Sequence, residues 1–463
     1  MSILPTRESR ALATIMLVSL VLRIVLVTSG GQFYWGDESR YQQARDIAAG
    51  LGRDAFVSAL KRMSNGQHPL FPIVGVIPAA IERVTGTDTR IPGAFFALFS
   101  VLNIGLLALI ARRSGASARE ATIAAALLAL SASFFYYSRH LLPYDVAMFF
   151  GLVALCLGVG ERPRPLSSVL CGVFAACAFF TYTGYWTLGG TALVIHVIQA
   201  NDRATARHRA LLGGIGLVGT IGLIVGASAL TTGGELVRRL LEFSRGINQG
   251  TFSEGWMLPF EYLWHAEHVL LVLWLSATAW CVWRLVSRQV SPSARIAVLG
   301  IALVYGTLLV CSVFLHKFVV YGRLARQLVP FLCLAGGAAV HAVYTSLPPA
   351  RRRIWAGALA IALVGQAALN FATPLRQVFP DEFLRNAQRS ASLRAGATTL
   401  AINTRQLYPG PEPITLPPRY VVISEAPHPL EFLPYQYEGH APTERRALRS
   451  TDIRMRFLAV PPE

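Results

Sequence analysis

Two adjacent carboxylates, Asp37 and Glu38, follow the first apolar run of the chain, within the segment YWGDES at 34–39. A carboxylate within hydrogen-bond reach of a hydroxyl group can take its proton, which makes a poor nucleophile reactive. Ionisable side chains beside a membrane are costly and are typical of functional sites. The pair therefore predicts an acid/base site at the mouth of an apolar scaffold. Asp37 also has a structural explanation, because a carboxylate there would cap a helix that begins at Glu38.

The overall composition is that of a polytopic membrane protein. The chain has 463 residues, of which 53% are hydrophobic and only 14% charged, and its mean hydropathy is +0.47. Soluble globular proteins carry charged residues at about a quarter of their positions. The net charge of +17 comes from arginines in short clusters between apolar runs, which differs from the basic stripe with interleaved aromatic residues that binds nucleic acid. Each of the six cysteines lies inside an apolar run, so no disulfide framework is predicted.

Eleven apolar stretches are candidate membrane crossings, because about 20 predominantly apolar residues let a helix span the hydrocarbon. A further apolar stretch, at 69–84, is shorter, contains three prolines and ends in Glu82 and Arg83. Hydropathy alone allows this stretch to cross the membrane or to lie on its surface. The eleven candidates are 11–29, 91–111, 120–137, 143–160, 166–183, 185–200, 209–230, 266–286, 295–315, 326–345 and 354–371.

The arginine clusters predict the orientation, because Lys and Arg concentrate in loops on the cytoplasmic side. If 69–84 lies on the surface, Arg7, Arg10 and five arginine-rich loops face the cytoplasm, whereas a crossing there would move all five loops outside. We therefore expect a surface helix at 69–84, a cytoplasmic amino terminus and an integral protein of the bacterial inner membrane. The cytoplasmic loops are then 112–119, 162–164, 203–209, 284–295 and 351–353, and the outer segments are 30–90, 138–142, 183–184, 231–265, 316–325 and the carboxyl-terminal tail.

Residues 39–62 have helical apolar spacing interrupted by four basic residues, which suits a helix lying in the membrane interface. A solvated connector is the alternative for the same segment. We thus expect an all-α membrane domain over 1–372, with about eleven transmembrane helices and with interfacial helices in its first outer loop.

From Thr373 onward the composition becomes polar and proline-rich. A segment of about 90 residues can form a modest core of its own. We therefore expect a small external α/β domain over 373–463. Its helical pattern lies at 381–393, and its strand-like patterns lie at 400–402, 420–423 and 456–460.

Three short motifs occur together in the first part of the chain: YWGDES at 34–39, HPLFP at 68–72 and SFFYYSRHLLPYD at 133–145. This combination resembles the membrane-embedded GT-C glycosyltransferases, specifically the branch of protein mannosyltransferases and aminoarabinose transferases. The resemblance covers residues 10–200 well, the later spans in general pattern, and the tail not at all. Arg23 inside the first span is also similar to that family, although a mid-span arginine can be a snorkelling or packing residue.

The resemblance implies a GT-C fold and the transfer of a sugar, with inversion, from a polyprenyl-phosphate lipid to an acceptor hydroxyl on the non-cytoplasmic face. Asp37 matches the catalytic carboxylate of the family and would act as the general base. Glu38 would bind the acceptor or a metal ion. Asp145 matches a second acidic position near the same site, and its alternative role is to complement the dipole of the fourth span. The implied partners are the donor lipid and a glycan, lipid or protein acceptor of the cell envelope.

Cationic residues near these acids would stabilise the phosphate that departs as the glycosidic bond breaks. Arg139 and His140 directly precede the acidic position in the third motif. In the family, a basic aromatic segment between the ninth and tenth spans meets the lipid phosphate. The corresponding segment here is HKFVVYGRLAR at 316–326, where Lys317 and Arg323 are the better candidates. Outward-facing positive charge runs against the orientation rule. Phosphate binding would explain it, and contact with lipid head groups is the alternative.

Two further residues complete the predicted binding site. Tyr321 lies within the same basic aromatic segment. His68 precedes the proline that opens the surface helix, where it could supply a hydrogen bond or a ligand, or could act as a helix cap.

A divalent metal ion has one further candidate site, at Glu261, His265 and His268, since these residues share a helical face at i, i+4 and i+7. The neighbouring Tyr262 and Trp264 favour an aromatic membrane belt instead.

A transporter or flippase of lipid-linked sugars is the main competing function. Transporters bind at the membrane midplane, often between repeated halves, whereas the charged candidates here cluster at one face. This placement favours an enzyme. An inactive assembly protein on the same scaffold is a third alternative, and no phosphate-binding glycine motif supports the use of a cytoplasmic nucleotide.

Overall fold

A computed structural model describes residues 7–28, 30, 32, 38, 40–50, 68–160, 164–248, 257–288, 291–315, 322–376, 420–424 and 455–459. These residues form a bundle of α-helices with one pair of strands. The helices are α1 (Arg7–Thr28), α2 (Arg40–Ala49), α3 (Leu70–Thr85), α4 (Arg90–Arg113), α5 (Ala118–Ala129), α6 (Ala132–Tyr137), α7 (Tyr144–Gly158), α8 (Pro165–Thr181), α9 (Trp186–Ile198), α10 (Arg203–Thr232), α11 (Glu235–Asn248), α12 (Leu258–Glu267), α13 (Val269–Val286), α14 (Pro292–Leu309), α15 (Val329–Ser346) and α16 (Pro349–Arg376), with 3-10 helices at Thr183–Tyr185 and Gly322–Leu328 and a π-helix at Val310–Phe314.

Each of the eleven predicted spans coincides with helix in the structure. Seven of the described helices are long and apolar enough to cross a membrane: α1, α4, α10, α13, α14, α16, and α15 together with the end of the preceding 3-10 helix. Helices α7 and α8 are apolar but shorter. The protein is therefore an integral membrane protein, while the count of eleven crossings stays a prediction.

Two predicted spans are broken in the structure. The span at 120–137 divides into α5 and the six-residue α6, and the Ser131 side chain caps α6 by accepting a hydrogen bond from the backbone of Phe134 at 3.4 Å. The span at 266–286 divides at His268, whose φ of 47° lies in the left-handed region. A hydropathy average does not detect such a break, because the residues on both sides of it are apolar.

Helices α2 and α3 pack together through one buried carboxylate. Glu82 on α3 accepts two hydrogen bonds from Arg45 on α2, from Nε at 2.9 Å and from Nη2 at 2.6 Å. The Tyr41 hydroxyl donates to the same carboxylate at 2.8 Å. Burial, together with this carboxylate, raises the pKa of Tyr41, so the hydroxyl remains a donor. Helix α2 covers part of the predicted interfacial helix at 39–62, whose remainder from 51 on lies outside the described residues.

The helical pattern predicted at 69–84 corresponds to α3, which has 16 residues. This length is below the about 20 residues of a transmembrane helix. The position of α3 relative to the membrane surface stays a prediction.

The predicted outer loop at 231–265 contains two helices, α11 and α12. Leu236 on α11 is buried against Ala176 and Phe180 of α8. On α11, hydrogen bonds from Arg238 and Arg239 hold the pKa of the Glu235 carboxyl at about 2. The sequence did not predict α11 as a helix, because this helix is amphipathic and its low mean hydropathy leaves no apolar run.

Several segments that were predicted to be cytoplasmic meet at one end of the bundle. Arg119, at the start of α5, lies 4.0 Å from Glu8 of α1 and 5.0 Å from the ring centroid of Tyr344 on α15. The Arg352 guanidinium of α16 lies 5.7 Å from the same ring. The predicted outer segments meet at the opposite end, where the candidate site lies. The assignment of these two ends to the cytoplasm and the exterior stays a prediction.

Helices α8 and α10 approach backbone to backbone. A Cβ atom added to Gly216 of α10 would lie 2.0 Å from the carbonyl oxygen of Val169, and one added to Gly172 of α8 would lie 2.0 Å from that of Gly213. Glycine is therefore required at these positions, as in other membrane helix pairs where small residues permit close packing.

In the tail, Tyr420–Ser424 and Met455–Ala459 form an antiparallel pair, β1 and β2, in which Tyr420 is opposite Ala459. Two of the three predicted strands therefore coincide with strands in the structure. The third, at 400–402, and the predicted helix at 381–393 lie outside the described residues. Helix α16 extends to Arg376, past the predicted boundary at 372/373, and the division into two domains stays a prediction.

We predict that Gly216→Ala destabilises the protein by about 1–3 kcal/mol, since the added methyl group forces α8 and α10 apart. Gly222→Ala is the matched control on the same helix, because a Cβ there meets no atom within 4 Å. Thermal unfolding of the purified variants in detergent measures the difference. Equal unfolding temperatures for the two variants would contradict close α8–α10 packing.

Candidate active site

An ion pair between Asp145 and Arg326 lies at the end of the bundle that is predicted to face outward. Asp145 is in the first turn of α7, and its Oδ1 lies 2.5 Å from Nη2 of Arg326. The two side chains are separated by 181 residues in sequence, and Arg326 is 0% exposed. Two opposite charges buried in contact form a strong, directional interaction, because little water screens them.

The Arg326 guanidinium keeps capacity for another anion. Its central carbon lies 4.7 Å from the ring centroid of Phe134 and 4.8 Å from that of Tyr137, which places the cation against two aromatic rings. Its Nε and Nη1 atoms have no hydrogen-bond partner among the residues described. A guanidinium has five N–H donors, and leaving buried donors unsatisfied is costly. These donors are suited to an oxyanion.

Gln327, which follows Arg326 in the sequence, holds the 3-10 helix in place through three hydrogen bonds. Its Oε1 accepts hydrogen bonds from the Thr187 hydroxyl at 2.5 Å and from the Leu188 backbone at 3.1 Å. Its Nε2 donates to the Gly184 carbonyl at 3.1 Å. A Cβ at Gly184 would lie 2.6 Å from Cδ2 of Leu324, so the two segments pack closely. The 3-10 helix that carries Arg326 is thereby held against the start of α9.

A second buried pair joins two of the predicted acidic and basic motifs. Oε1 of Glu38 lies 2.9 Å from Nδ1 of His140 and accepts a hydrogen bond from the Leu141 backbone at 3.0 Å. Both side chains are buried. Glu38 and the 138–142 link, which are far apart in sequence, therefore meet.

Arg139 and His68 lie in the same region. The Arg139 side chain is buried, and its backbone carbonyl accepts a hydrogen bond from Nε2 of Gln32 at 3.1 Å. His68 is also buried, and its Nδ1 accepts a hydrogen bond from the Thr183 backbone at 3.4 Å. Its ring centroid lies 4.8 Å from that of Tyr182. His68 thus connects the first outer segment to the 183–184 link.

Buried tyrosines surround these groups. The ring centroids of Tyr137 and Tyr144 are 5.7 Å apart, those of Tyr144 and Tyr182 are 4.9 Å apart, and those of Tyr182 and Tyr185 are 5.8 Å apart. All four rings are buried. They form a rigid aromatic layer next to the ion pair.

Glu267 is a buried acid that sequence reasoning missed. Its Oε1 accepts hydrogen bonds from the Ser131 hydroxyl at 2.6 Å, the Ser133 hydroxyl at 2.7 Å and the Ser133 backbone at 3.0 Å. Its Oε2 accepts from the Ala132 backbone at 2.8 Å. The only signal in the sequence was an isolated glutamate at the start of an apolar run.

Arg23 also points into the interior. Its Nε donates to the Ser100 hydroxyl at 3.0 Å, and that hydroxyl donates to the Phe134 carbonyl at 3.1 Å. The guanidinium lies 5.7 Å from the ring centroid of Phe135. Arg23 is completely buried, so it is a packing residue that contacts α6 rather than a snorkelling one.

Several predicted site residues lie outside the described part of the chain. These are Asp37, Lys317 and Tyr321, together with the Arg323 side chain. Within the described part of the basic segment, the cation that pairs with Asp145 is Arg326, the first residue of the predicted tenth span. An arginine at the end of a span ordinarily suggests an interface anchor, and its acidic partner could be identified only from the tertiary structure.

The metal site proposed at Glu261, His265 and His268 was wrong in its geometry. Helix α12 ends at Glu267, and the backbone reverses at His268, so the three residues do not share one helical face. Glu261 and His268 are exposed, and the His265 side chain lies outside the described residues. Within the described ranges, no group of three His, Cys, Asp or Glu side chains is placed to bind a metal ion.

No protein-family model and no curated protein matches this sequence. Solved structures match its fold. ArnT from Cupriavidus metallidurans, bound to undecaprenyl phosphate, has a TM-score of 0.55 and 16% identity, over 82% of this chain and 69% of that one. The oligosaccharyltransferase AglB from Archaeoglobus fulgidus, in complex with an inhibitory peptide and a dolichol-phosphate, has a TM-score of 0.52 and 13% identity, over 89% of this chain.

These matches confirm the expected fold: the chain has the GT-C fold of membrane glycosyltransferases. At 13–16% identity the similarity concerns the fold alone. The chain spans about three fifths of the length of AglB, with 61% of that protein covered.

We predict that Asp145→Asn and Arg326→Gln each destabilise the protein by about 3–5 kcal/mol, because each leaves one buried charge without its partner. The double variant should lose less free energy of unfolding than the two single variants lose together. Unfolding curves in detergent for the unmodified protein, the two single variants and the double variant give the coupling energy. The exposed pair Arg238 and Glu242 on α11 is the control, and no measurable coupling is expected there. Additive losses at Asp145 and Arg326 would contradict a buried pair.

Proposed function

We propose that this protein is a glycosyltransferase that transfers a sugar from a polyprenyl-phosphate donor to an acceptor hydroxyl at the outer end of the bundle. The observation that carries the proposal is the Arg326 guanidinium. It is completely buried and paired on one nitrogen with Asp145, and it has two nitrogens left for an anion. Such a cation inside a GT-C fold suits a lipid phosphate.

Asp37 is the proposed general base. The acceptor hydroxyl gives its proton to this carboxylate as the oxygen forms its bond to the anomeric carbon. The bond from that carbon to the phosphate oxygen breaks, and its electron pair stays on the phosphate. Attack from the face opposite the leaving group inverts the anomeric configuration.

Glu38 supports the base by fixing the adjoining backbone. Its carboxylate is held by His140 and by the Leu141 backbone, so the chain next to Asp37 is tied to the 138–142 link. A base must lie within hydrogen-bond reach of its proton, and fixed geometry of this kind accounts for much of the rate enhancement in enzymes. The role of Glu38 is therefore to position the base or to bind the acceptor.

Arg326 is the main proposed contact to the phosphate. Its interaction strengthens as negative charge develops on the departing phosphate, and burial keeps the local dielectric constant low. Asp145 supports it by holding the guanidinium in one orientation. Arg139, Lys317 and Arg323 are the further cations proposed around the same group. Tyr321 and His68 are the neutral residues proposed for this site.

The ligands of the two neighbours agree with this class of substrate. One neighbour structure contains undecaprenyl phosphate and the other contains a dolichol-phosphate with an inhibitory peptide. We infer for this chain a polyprenyl-phosphate donor, an acceptor from the cell envelope and a site on the external face of the bacterial inner membrane. The amino terminus is then cytoplasmic and the tail over 373–463 is external.

Asp37→Asn should lower kcat by about 10²–10⁴-fold, since the amide cannot take the acceptor proton. The assay combines purified protein with a panel of radiolabelled polyprenyl-phosphate sugars and envelope acceptors. Asp88→Asn is the control, because this acid caps the turn before α4 and asparagine caps equally well. Unchanged turnover in Asp37→Asn would remove the proposed base. Movement of labelled lipid across vesicles without any product would indicate a flippase.

Arg326→Lys should weaken binding of undecaprenyl phosphate about tenfold, because an ammonium group keeps the charge but loses the planar fork that contacts two oxygens. Binding is measured with the purified variant in detergent, beside an unfolding curve that confirms the fold. Arg90→Lys, an exposed arginine at the start of α4, controls for general attraction of the anion. Equal affinities in the two variants would exclude Arg326 as the phosphate contact.

A further inference from the structure

Helix α6 contacts one residue of the candidate site and leads directly into two others. It has only six residues, and the chain passes directly from its end into the link that carries Arg139 and His140. Tyr137 at its last turn contacts the Arg326 guanidinium. His140, three residues later, pairs with Glu38. A shift of α6 would therefore move both Tyr137, which contacts Arg326, and His140, which pairs with Glu38.

Such a short helix has little stability of its own, because helix nucleation is unfavourable and the first turn leaves backbone N–H groups without partners. Tertiary contacts must fix its position. Within the described part of the chain, the contacts are of two kinds: one at the amino-terminal end and others along the side.

The contact at the amino-terminal end is Glu267 of α12. One carboxylate accepts four hydrogen bonds from three consecutive residues, Ser131 to Ser133, all between 2.6 and 3.0 Å. A carboxyl group that accepts from backbone N–H groups at a helix start satisfies donors that the first turn leaves without partners. Glu267 is also 0% exposed, so water does not compete for these bonds.

The contacts along the side involve different groups. The Ser100 hydroxyl donates to the Phe134 carbonyl at 3.1 Å, and Phe371 of α16 stacks on Phe135 with ring centroids 4.0 Å apart. The Arg326 guanidinium lies over the Phe134 ring at 4.7 Å. None of these contacts satisfies the backbone N–H groups at the start of the helix, whereas Glu267 accepts from those of Ala132 and Ser133.

We propose that Glu267 is a positioning residue, which holds the start of α6 so that Tyr137 meets Arg326 and His140 meets Glu38. Its effect on sugar transfer rests on the proposed function, whereas its effect on α6 does not. Glu267 does not touch the reacting atoms and acts only through the helix.

Glu267→Gln tests the proposal, because the amide keeps the size of the side chain but directs N–H groups at backbone N–H donors. Hydrogen exchange in the peptide 131–142 should become at least about tenfold faster, while exchange in α8 stays unchanged. With polyprenyl-phosphate sugars, kcat should fall about ten- to a hundredfold, since small misplacements of reacting groups are costly. KM for the donor should change less than kcat, because Arg326, the main proposed contact to the phosphate, keeps its ion pair with Asp145.

Two further variants keep the test decisive. Ser133→Ala removes one hydrogen bond to the same carboxylate without adding a donor, and it should give a smaller change of the same kind even if Glu267→Gln folds poorly. Glu242→Gln makes the same chemical change on exposed α11 and should alter neither exchange in 131–142 nor kcat.

Unchanged exchange in 131–142 would overturn the proposal, and so would an equal increase in α8, because Glu267 would then hold the whole fold rather than α6. Faster local exchange with unchanged kcat in an active protein would overturn its link to catalysis. If the unmodified protein transfers no sugar at all, the proposed function fails, and the exchange measurement still decides whether Glu267 positions α6.

Discussion

The buried ion pair between Asp145 and Arg326 is the interaction on which the outer end of this protein depends. A charge in a low-dielectric interior is tolerated only with a partner, and each of these two residues supplies that partner for the other. Their pairing brings the start of α7 to the 3-10 helix at Gly322–Leu328, across 181 residues of sequence. Gln327 then ties this 3-10 helix to the start of α9. The pair thus determines where the early and late helices of the bundle meet.

The two ends of the bundle use charge differently. At the outer end, Glu38, Glu267 and Arg326 are completely buried, and each has a specific partner. At the other end, the pair between Glu8 and Arg119 is long and partly exposed. Exposed pairs contribute little to stability, whereas buried charges are costly and persist where a function requires them.

Much of the membrane domain could be predicted from the sequence, because hydropathy reports directly on which segments are buried in lipid or protein. The motifs that carry Glu38 and His140 could be identified from the sequence, and the structure brings these two side chains together. The breaks before α6 and at His268 were missed, because apolar residues flank them and a hydropathy average continues through them. Helix α11 was missed for the opposite reason, since its polar face lowers the average.

The sequence by itself determined the helical membrane architecture and the presence of the acidic pair at 37–38. Composition and spacing within a segment are sufficient to predict these features. Whether a segment lies in lipid or in water depends mainly on its own residues. Only the tertiary structure decided that Arg326 is the cation paired with Asp145 and that Glu267 caps α6. Both contacts join residues more than 130 positions apart, and a buried charge has no local signal that names its partner.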